Sequence, residues 1–221
     1  QEKWEKAKCF QVSEDKKKHI YEKRQKAVEK IRELSSRLFI RDANYGNTVE
    51  SLDRLIQVAK AATDKNLIVF ADNFHKIEID RKLSERKDRY AEVSERLKRI
   101  VNIYNVPVIV VAEEKKHLTA RPVPDDILWS VDIQYDAEVE ILLFNQIKWD
   151  EEHYRYSTSE GLYHLTDDGI KLPILEAHIP KTKTSDFSGT IFFRFYPYNS
   201  MIEECTVDEV NAARKALMKV T

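Results

Sequence analysis

Glycine is scarce in this 221-residue chain, and its scarcity excludes one class of nucleotide site. There are four glycines: Gly46, Gly161, Gly169 and Gly189. No two of them have the spacing of GxGxxG or GxxxxGK(S/T), the loops whose bare backbone binds phosphate. We therefore expect no self-contained phosphate-binding loop in this sequence.

Cysteine and long apolar runs are also scarce. Cys9 and Cys205 stand at opposite ends without CxxC spacing, which favours free thiols in a reducing compartment over a zinc site or a disulfide framework, although a single disulfide is left open. The longest apolar runs, VPVIVVA and ILLF, are much shorter than the roughly 18 residues that span a bilayer. No signal-peptide pattern opens the chain. We expect a cytoplasmic protein without a membrane partner.

The overall charge excludes a global electrostatic attraction to nucleic acid or to membranes. Lys and Arg number 37, Asp and Glu number 38, and the formal net charge is −1. The charge is nevertheless segregated, because residues 1–41 carry 13 Lys and Arg against seven Asp and Glu. Within them, KHIYEKRQKAVEKIRELSSRLF has the spacing of a long amphipathic helix, with Ser13 as a candidate N-cap. We expect a solvated helix with one buried stripe, in preference to a nucleic-acid arm, and the stripe would contain Ile20, Ala27, Ile31, Leu34 and Leu38.

The middle of the chain predicts a parallel α/β unit. A short strand, RLFI, precedes a turn and the helix VESLDRLIQVAKAA, capped by Thr48 or Asn47. The run NLIVFADNFHKI predicts a strand buried on both faces that places Asp72 at the carboxyl edge of a parallel sheet. The helix RYAEVSERLKRIVNIY, ended by Asn105, and the buried strand VPVIVVAEE complete a right-handed parallel crossover.

The remainder of the chain has a different pattern. Residues 115–136 contain prolines and predict a long loop, and AEVEILLF, ILEAHIPKTK and TIFFRFY then follow as three strands without helices between them. These strands predict an antiparallel meander that extends the sheet. The segment TVDEVNAARKALMKV predicts a terminal helix.

Asp72 is the first candidate for chemistry. A carboxylate after a buried strand resembles a Walker B acid, which holds Mg²⁺ through water because this hard cation prefers oxygen ligands. An acid that only caps a loop is the structural alternative.

Several motifs, taken in order, resemble the RecA-like motor domain of DnaB-type replicative helicases. IVFADNFHKI is similar to the family's hydrophobic run ending in Asp-Tyr-Leu-Gln-Leu-Ile, and VPVIVVAEEKK resembles the strand leading into its Ser-Gln-Leu-Asn-Arg motif. RPVPDDILWSVDIQYDAEVEILLF and IPKTKTSDFSG resemble its Arg-Pro segment and its Lys-x-Arg-x-Gly-x-x-Gly hairpin. The resemblance implies a RecA-like, mostly parallel sheet with a C-terminal meander and without the early strands that carry the phosphate loop. We expect three parts in the chain: a basic helical segment at 1–36, a partial motor domain at 37–204 and a terminal helix at 205–221.

The resemblance also implies roles for five residues. Asp72 takes the metal position. His75 takes a Gln position near the active edge, with a capping or packing role as the alternative to a phosphate contact. Glu113 stands where the phosphate-sensing Gln is expected, but a glutamate cannot donate the amide hydrogen bond. Lys181 and Lys183 take the basic positions that reach the γ-phosphate of the neighbouring subunit. Their alternation along a strand points both side chains to one face.

DNA contact is expected from loops that face the channel of a ring. Acids are interleaved with the cations of these loops, so ordinary solvated charge is the alternative interpretation. Trp129 is a candidate base-stacking platform or, alternatively, a buried anchor of its loop. The candidate cations are Arg81, Lys82, Arg86, Lys87, Lys115, Lys116 and Arg121.

By this resemblance, the chain is expected to be part of an ATP-dependent replicative DNA helicase motor. Such a motor uses ATP and Mg²⁺, forms a hexameric ring on single-stranded DNA, and has nucleotide sites between its subunits. This chain alone is not expected to hydrolyse ATP, because the phosphate loop would belong to a missing N-terminal part. The alternative is that CFQVSEDK is a degenerate second strand with Glu14 as the catalytic base. The competing hypothesis is a non-catalytic RecA-like binding or assembly module that has lost the phosphate loop.

Overall fold

The computed structural model describes residues 14–42, 46–81, 85–115, 121–127, 131–148, 162–166 and 169–220. The chain divides into two compact units, Gln1–Gly46 and Asn47–Thr221. The domain boundaries expected after residues 36 and 204 stay predictions. No helix within these described ranges combines the length and the apolar character that crossing a bilayer requires.

The first unit contains helix α1, Glu14–Ser35, as the periodicity predicted. The predicted burial of its stripe is wrong, since Ile20, Ile31, Leu34 and Leu38 are all exposed. An amphipathic pattern buries a face only where another surface covers it, so the pattern alone does not decide burial. The predicted strand at residues 37–40 is also absent, because apolar residues form a strand only when a neighbouring strand accepts their hydrogen bonds. The candidate cap Ser13 lies outside the described residues.

The second unit begins with the predicted parallel motif. Helix α2, Val49–Ala62, starts after Thr48, whose hydroxyl accepts a hydrogen bond from the Ser51 amide at 3.2 Å. Strand β1, Val69–Asp72, then pairs in parallel with β2, Val108–Val111. Helix α3, Arg86–Tyr104, connects the two strands. It ends as predicted at Asn105, which adopts a left-handed conformation with φ 48°.

The prediction that both faces of these strands are buried is wrong. Val69 and Val108 pack against the main core, whereas Phe70 is 73% exposed and Ile109 and Val111 are exposed as well. A continuous apolar run looks the same in sequence whether one or two faces are covered. The core on the covered face contains Val49, Ile56, Phe74, Ile77, Ile79, Tyr90, Val93, Leu97, Ile100 and Val106.

The predicted antiparallel strands are present as a five-stranded sheet, but among the described residues this sheet shares no strand pairing with β1 and β2, so it does not extend the parallel sheet. The order is β3-β5-β6-β7, and the short strand β4 also pairs with β5. Helix α5, Val207–Val220, follows this sheet as predicted, and its Ala213 packs with Ile174 and Phe192. The strands are β3 Val139–Asn145, β4 Tyr163–Leu165, β5 Lys171–Thr182, β6 Gly189–Tyr196 and β7 Met201–Glu204.

The loop predicted at residues 115–136 is partly helical. Pro124–Asp126 forms a 3₁₀ turn, and Val131–Asp136 forms the short helix α4. A six-residue helix is less than two turns long, so it has too few residues for a recognisable apolar period.

Candidate functional site

The carboxyl ends of β1 and β2 bring the first group of candidate residues together. Asp72 is the last residue of β1, is exposed, and pairs in register with Val111, the last residue of β2. Glu113 follows two residues later. We call the group of Asp72, Asn73, His75 and Glu113 the acidic edge.

Hydrogen bonds link the two strand ends within the acidic edge. The Asn73 Nδ2 donates to Glu113 Oε1 at 2.7 Å, and the Glu113 amide donates to His75 Nδ1 at 3.3 Å. Asn73 was not among the sequence candidates, although its position directly after Asp72 was a usable signal. Its Oδ1 is buried and has no hydrogen-bond partner among the described residues. The amide of Asn73 therefore holds the side chain of Glu113 beside β1.

Aromatic packing positions His75. The residue lies in a 3₁₀ turn, Phe74–Lys76, and Phe74 is part of the core. The His75 ring meets the Phe74 ring edge-on at 5.6 Å and the Tyr90 ring edge-on at 5.2 Å. Tyr90 belongs to α3, so that helix contacts the acidic edge.

The two carboxylates of the acidic edge, Asp72 and Glu113, are hydrogen-bond acceptors. The carboxylate of Glu113 accepts from Asn73 and has no proton to donate to a phosphate. Asp72 presents an exposed carboxylate, which fits Mg²⁺ that keeps several waters and binds phosphate oxygens. Within the described part of the chain, no three His, Cys, Asp or Glu residues are grouped as metal ligands.

The second group of candidates lies at the carboxyl end of α4. The Lys181 Nζ donates to the Gln134 carbonyl and, at 3.5 Å, to the Tyr135 carbonyl. The Lys183 Nζ donates to the same Tyr135 carbonyl at 2.8 Å and lies 3.7 Å from the Glu138 carboxylate. We call Lys181 and Lys183 the lysine pair. They share a location, as their alternation predicted.

Burial shifts the pKa values around the lysine pair. Partial burial lowers the pKa of Lys181, and repulsion from Lys183 makes the second largest contribution in the same direction. Glu140 pairs with Lys181 across β3 and β5 and is 7% exposed. Its burial raises the pKa of its carboxyl, and attraction to Lys181 opposes that rise.

The candidate DNA-binding cations have different environments. Arg81 forms an ion pair with Glu92 at 2.7 Å. Arg86 and Lys87 are exposed and begin α3, although the sequence placed them in a loop. The Lys115 Nζ donates to the Asp125 carbonyl at 2.9 Å. Lys82, Lys116 and Trp129 lie outside the described residues.

Arg121 is engaged within the protein. Its Nε and terminal nitrogen donate to the two carboxylate oxygens of Glu176 at 2.7 and 2.9 Å. Glu176 lies on β5 and is 3% exposed, and the guanidinium also lies 5.0 Å from the centre of the Phe144 ring. This bidentate pair joins the proline-containing segment to the antiparallel sheet.

Comparisons with known proteins identify the family and the fold of this chain. The family described as the DnaB-like helicase C terminal domain matches residues 6–186. A solved structure described as an ATPase domain has a TM-score of 0.61 and 19% identity, with 72% of this chain and 52% of that chain covered. A DnaB-like replicative helicase, solved in a study of its interactions with primase, has a TM-score of 0.60 and 19% identity, with 72% and 36% covered. No curated protein matches the chain.

The fold and the family match define a RecA-like α/β protein of the helicase class. The chain belongs to the family of DnaB-like helicase C-terminal domains. The resemblance seen in the motifs and the fold class are thereby confirmed. The chain spans about half the length of the first structure and 36% of the second.

Proposed function

We propose that this chain is part of an ATP-driven replicative DNA helicase motor, which translocates on single-stranded DNA as a hexameric ring with nucleotide sites between subunits. The observation that carries the proposal is the acidic edge. A parallel strand pair of a DnaB-like domain ends there in an exposed carboxylate, Asp72, and Glu113 accepts a 2.7 Å hydrogen bond from the adjacent Asn73. Ligands of open α/β sheets bind at this edge.

The proposed roles follow from charge. Mg²⁺ bound to ATP would neutralise phosphate charge, and Asp72 would hold the ion through water. The lysine pair would contribute two positive charges to the phosphates of the neighbouring subunit's nucleotide. Developing negative charge in phosphoryl transfer is stabilised by such fixed cations. Each lysine would contribute a single positive charge and could not make the bidentate hydrogen bonds of an arginine guanidinium group.

A mixed-ring experiment tests the shared site. In the complete motor, Asp72→Asn and a Lys181→Met, Lys183→Met double variant should each lose ATP turnover by about a hundredfold or more. Mixing the two variants should restore part of the activity, because some interfaces then combine an intact Asp72 with an intact lysine pair. The matched control is Asp64→Asn, an exposed acid before β1, which should keep wild-type turnover.

Two results would contradict the assignment. Wild-type turnover in Asp72→Asn would remove this carboxylate from the reaction. Inactive variants that form mixed rings without recovering any activity would place Asp72 and the lysine pair in the same subunit's site.

DNA binding is proposed for the exposed cations at the start of α3. Arg86 and Lys87 stand at the helix end where the macrodipole disfavours positive charge, so a binding partner is a better explanation for them than helix stability. Arg86→Gln with Lys87→Gln should weaken binding of a single-stranded oligonucleotide and lower the slope of log K against log salt by about 1 to 1.5. Arg214→Gln with Lys215→Gln, on the exposed face of α5, is the charge-matched control and should leave the slope unchanged.

A second function is supported by the chemistry of Glu113. Its carboxylate stands at the sensor position but accepts from Asn73 and cannot donate to a γ-phosphate, which favours a non-catalytic binding or assembly module. Nucleotide binding by the complete protein distinguishes the two hypotheses. Calorimetry that detects no Mg–ATP binding to a folded, oligomeric complete protein would favour the module, whereas micromolar binding with turnover would favour the motor.

A further inference from the structure

The two lysines that would act on a neighbouring subunit are both engaged within their own chain. The Lys181 Nζ donates to the Gln134 and Tyr135 carbonyls, and the Lys183 Nζ donates to the Tyr135 carbonyl. These carbonyls belong to the last turn of α4, where acceptors lack partners inside the helix and carry partial negative charge. The lysine pair therefore caps α4.

Contacts with α3 fix the capped helix. Asp136, the last residue of α4, accepts from Ser94 Oγ at 2.8 Å and from Lys98 Nζ at 3.4 Å. The Tyr135 ring lies 5.7 Å from the Lys183 ammonium and 5.8 Å from the Lys98 ammonium. The acceptors of the lysine pair are thus held in place by a long helix of the main core.

We propose that the carbonyl groups at the carboxyl end of α4 hold the lysine pair within its own subunit and release it only when phosphate binds. We call this contact the latch. The proposal rests on the proposed function, since it concerns the same two lysines. An ammonium group already bound to a carbonyl must give up that hydrogen bond before it reaches across an interface. A polyphosphate competes well for it, because a full negative charge attracts the ammonium group more strongly than the dipole of a neutral carbonyl does.

Release of the lysine pair would affect α3 and, through it, the acidic edge. On one face of α3, Tyr90 contacts His75, and Ser94, one turn later, contacts Asp136. Loss of the cap leaves α4 carbonyls without partners and loosens the end of the helix that Ser94 holds. Phosphate binding to the lysine pair would in this way affect the acidic edge of the same subunit. That edge belongs to the next nucleotide site around the ring.

The capping step can be tested on this chain by nuclear magnetic resonance. The Ala137 amide donates to the Ile133 carbonyl at 2.9 Å and reports on the last turn of α4. Lys181→Met with Lys183→Met keeps the apolar stems and removes the donors, so the Ala137 amide should exchange about tenfold faster or more. Lys171→Met is the matched control on the same strand, because its ammonium lies over the Tyr163 ring and not at α4. Lys181→Arg with Lys183→Arg should restore slow exchange.

The release step uses inorganic tripolyphosphate at constant ionic strength. In the wild-type chain it should accelerate Ala137 exchange towards the rate of the double Met variant, and in that variant it should have no further effect. Unchanged exchange in the double Met variant, with both controls folded, would overturn the cap. Wild-type exchange that stays slow at millimolar tripolyphosphate would overturn the release.

The latch and the proposed function can fail separately. The mixed-ring experiment reads ATP turnover in the complete motor, whereas amide exchange reads α4 in this chain. Recovered turnover with a tripolyphosphate-insensitive α4 would reject the latch and keep the shared site. A sensitive α4 without recovery in mixed rings would reject the shared site.

Discussion

The acidic edge and the surroundings of the lysine pair hold their charged groups in opposite ways. At the acidic edge, Glu113 is exposed and its main partner is another side chain, that of Asn73. Around the lysine pair, the ammonium groups bind backbone carbonyls, and Lys181 pairs across the strands with Glu140, which is buried. Charges in water tolerate substitution, whereas buried charges depend on every partner. The antiparallel sheet should therefore respond to charge changes much more strongly than the parallel strand ends.

The largest effect is expected for the buried ion pair of the antiparallel sheet. Arg121→Ala leaves the carboxylate of Glu176 buried without its bidentate partner and should lower the free energy of unfolding by about 3–5 kcal/mol. Urea denaturation measures the change. The matched control is Arg81→Ala, which breaks a 2.7 Å ion pair in which Arg81 is largely exposed and should cost less than about 1 kcal/mol.

A double variant excludes a simple packing explanation. Arg121→Leu with Glu176→Leu removes both charges and should recover most of the stability lost in Arg121→Ala. A loss below about 1 kcal/mol in Arg121→Ala would contradict the contrast between the two regions.

The contrast between the two regions also explains why the acidic edge could be predicted from the sequence and the surroundings of the lysine pair could not. Asp72 and Glu113 directly follow apolar runs, so parallel pairing of those runs was enough to place them at one edge. The site of the lysine pair could not be predicted in the same way, because its acceptors are carbonyls of α4, a helix of six residues inside a proline-containing segment. The one-sided burial of β1 was also hidden, since Phe70 has the same apolar character whether or not its face is covered.

The second effect concerns the thiol next to the antiparallel sheet. Burial, with a smaller contribution from Glu209, raises the pKa of Cys205 to about 11 from an ordinary value of 9.0. At pH 8 its thiolate fraction should be about a hundredfold lower than that of an ordinary thiol. In a Cys9→Ser background, reaction with an aromatic disulfide should be at least about a hundredfold slower in the folded chain than in urea. Equal rates would show that Cys205 is accessible.

A smaller, pH-dependent effect is expected at Glu140. Its pKa is raised mainly by burial, so the folded state disfavours the carboxylate, and stability is lost as the pH rises from the ordinary value of 4.5 through the folded pKa. Glu140→Gln should therefore stabilise the chain at pH 8 and have no effect near pH 4. Urea denaturation at the two pH values measures this. Glu204→Gln, which changes an exposed acid at the end of β7, is the control and should show no such difference. If Glu140→Gln destabilised the chain at pH 8, the attraction of the Glu140 carboxylate to Lys181 would be larger than the cost of burying it.

The smallest effect is expected at the acidic edge itself. Glu113→Gln keeps an oxygen that can accept from Asn73, and the side chain remains in water, so the free energy of unfolding should change by less than about 0.5 kcal/mol. Asn73→Ala removes the hydrogen bond and should cost about 1 kcal/mol. Urea denaturation of both variants beside Arg121→Ala makes the comparison direct. A loss above about 2 kcal/mol in Glu113→Gln would show that the fold depends on the Glu113 carboxylate. The main role of the acidic edge would then be structural.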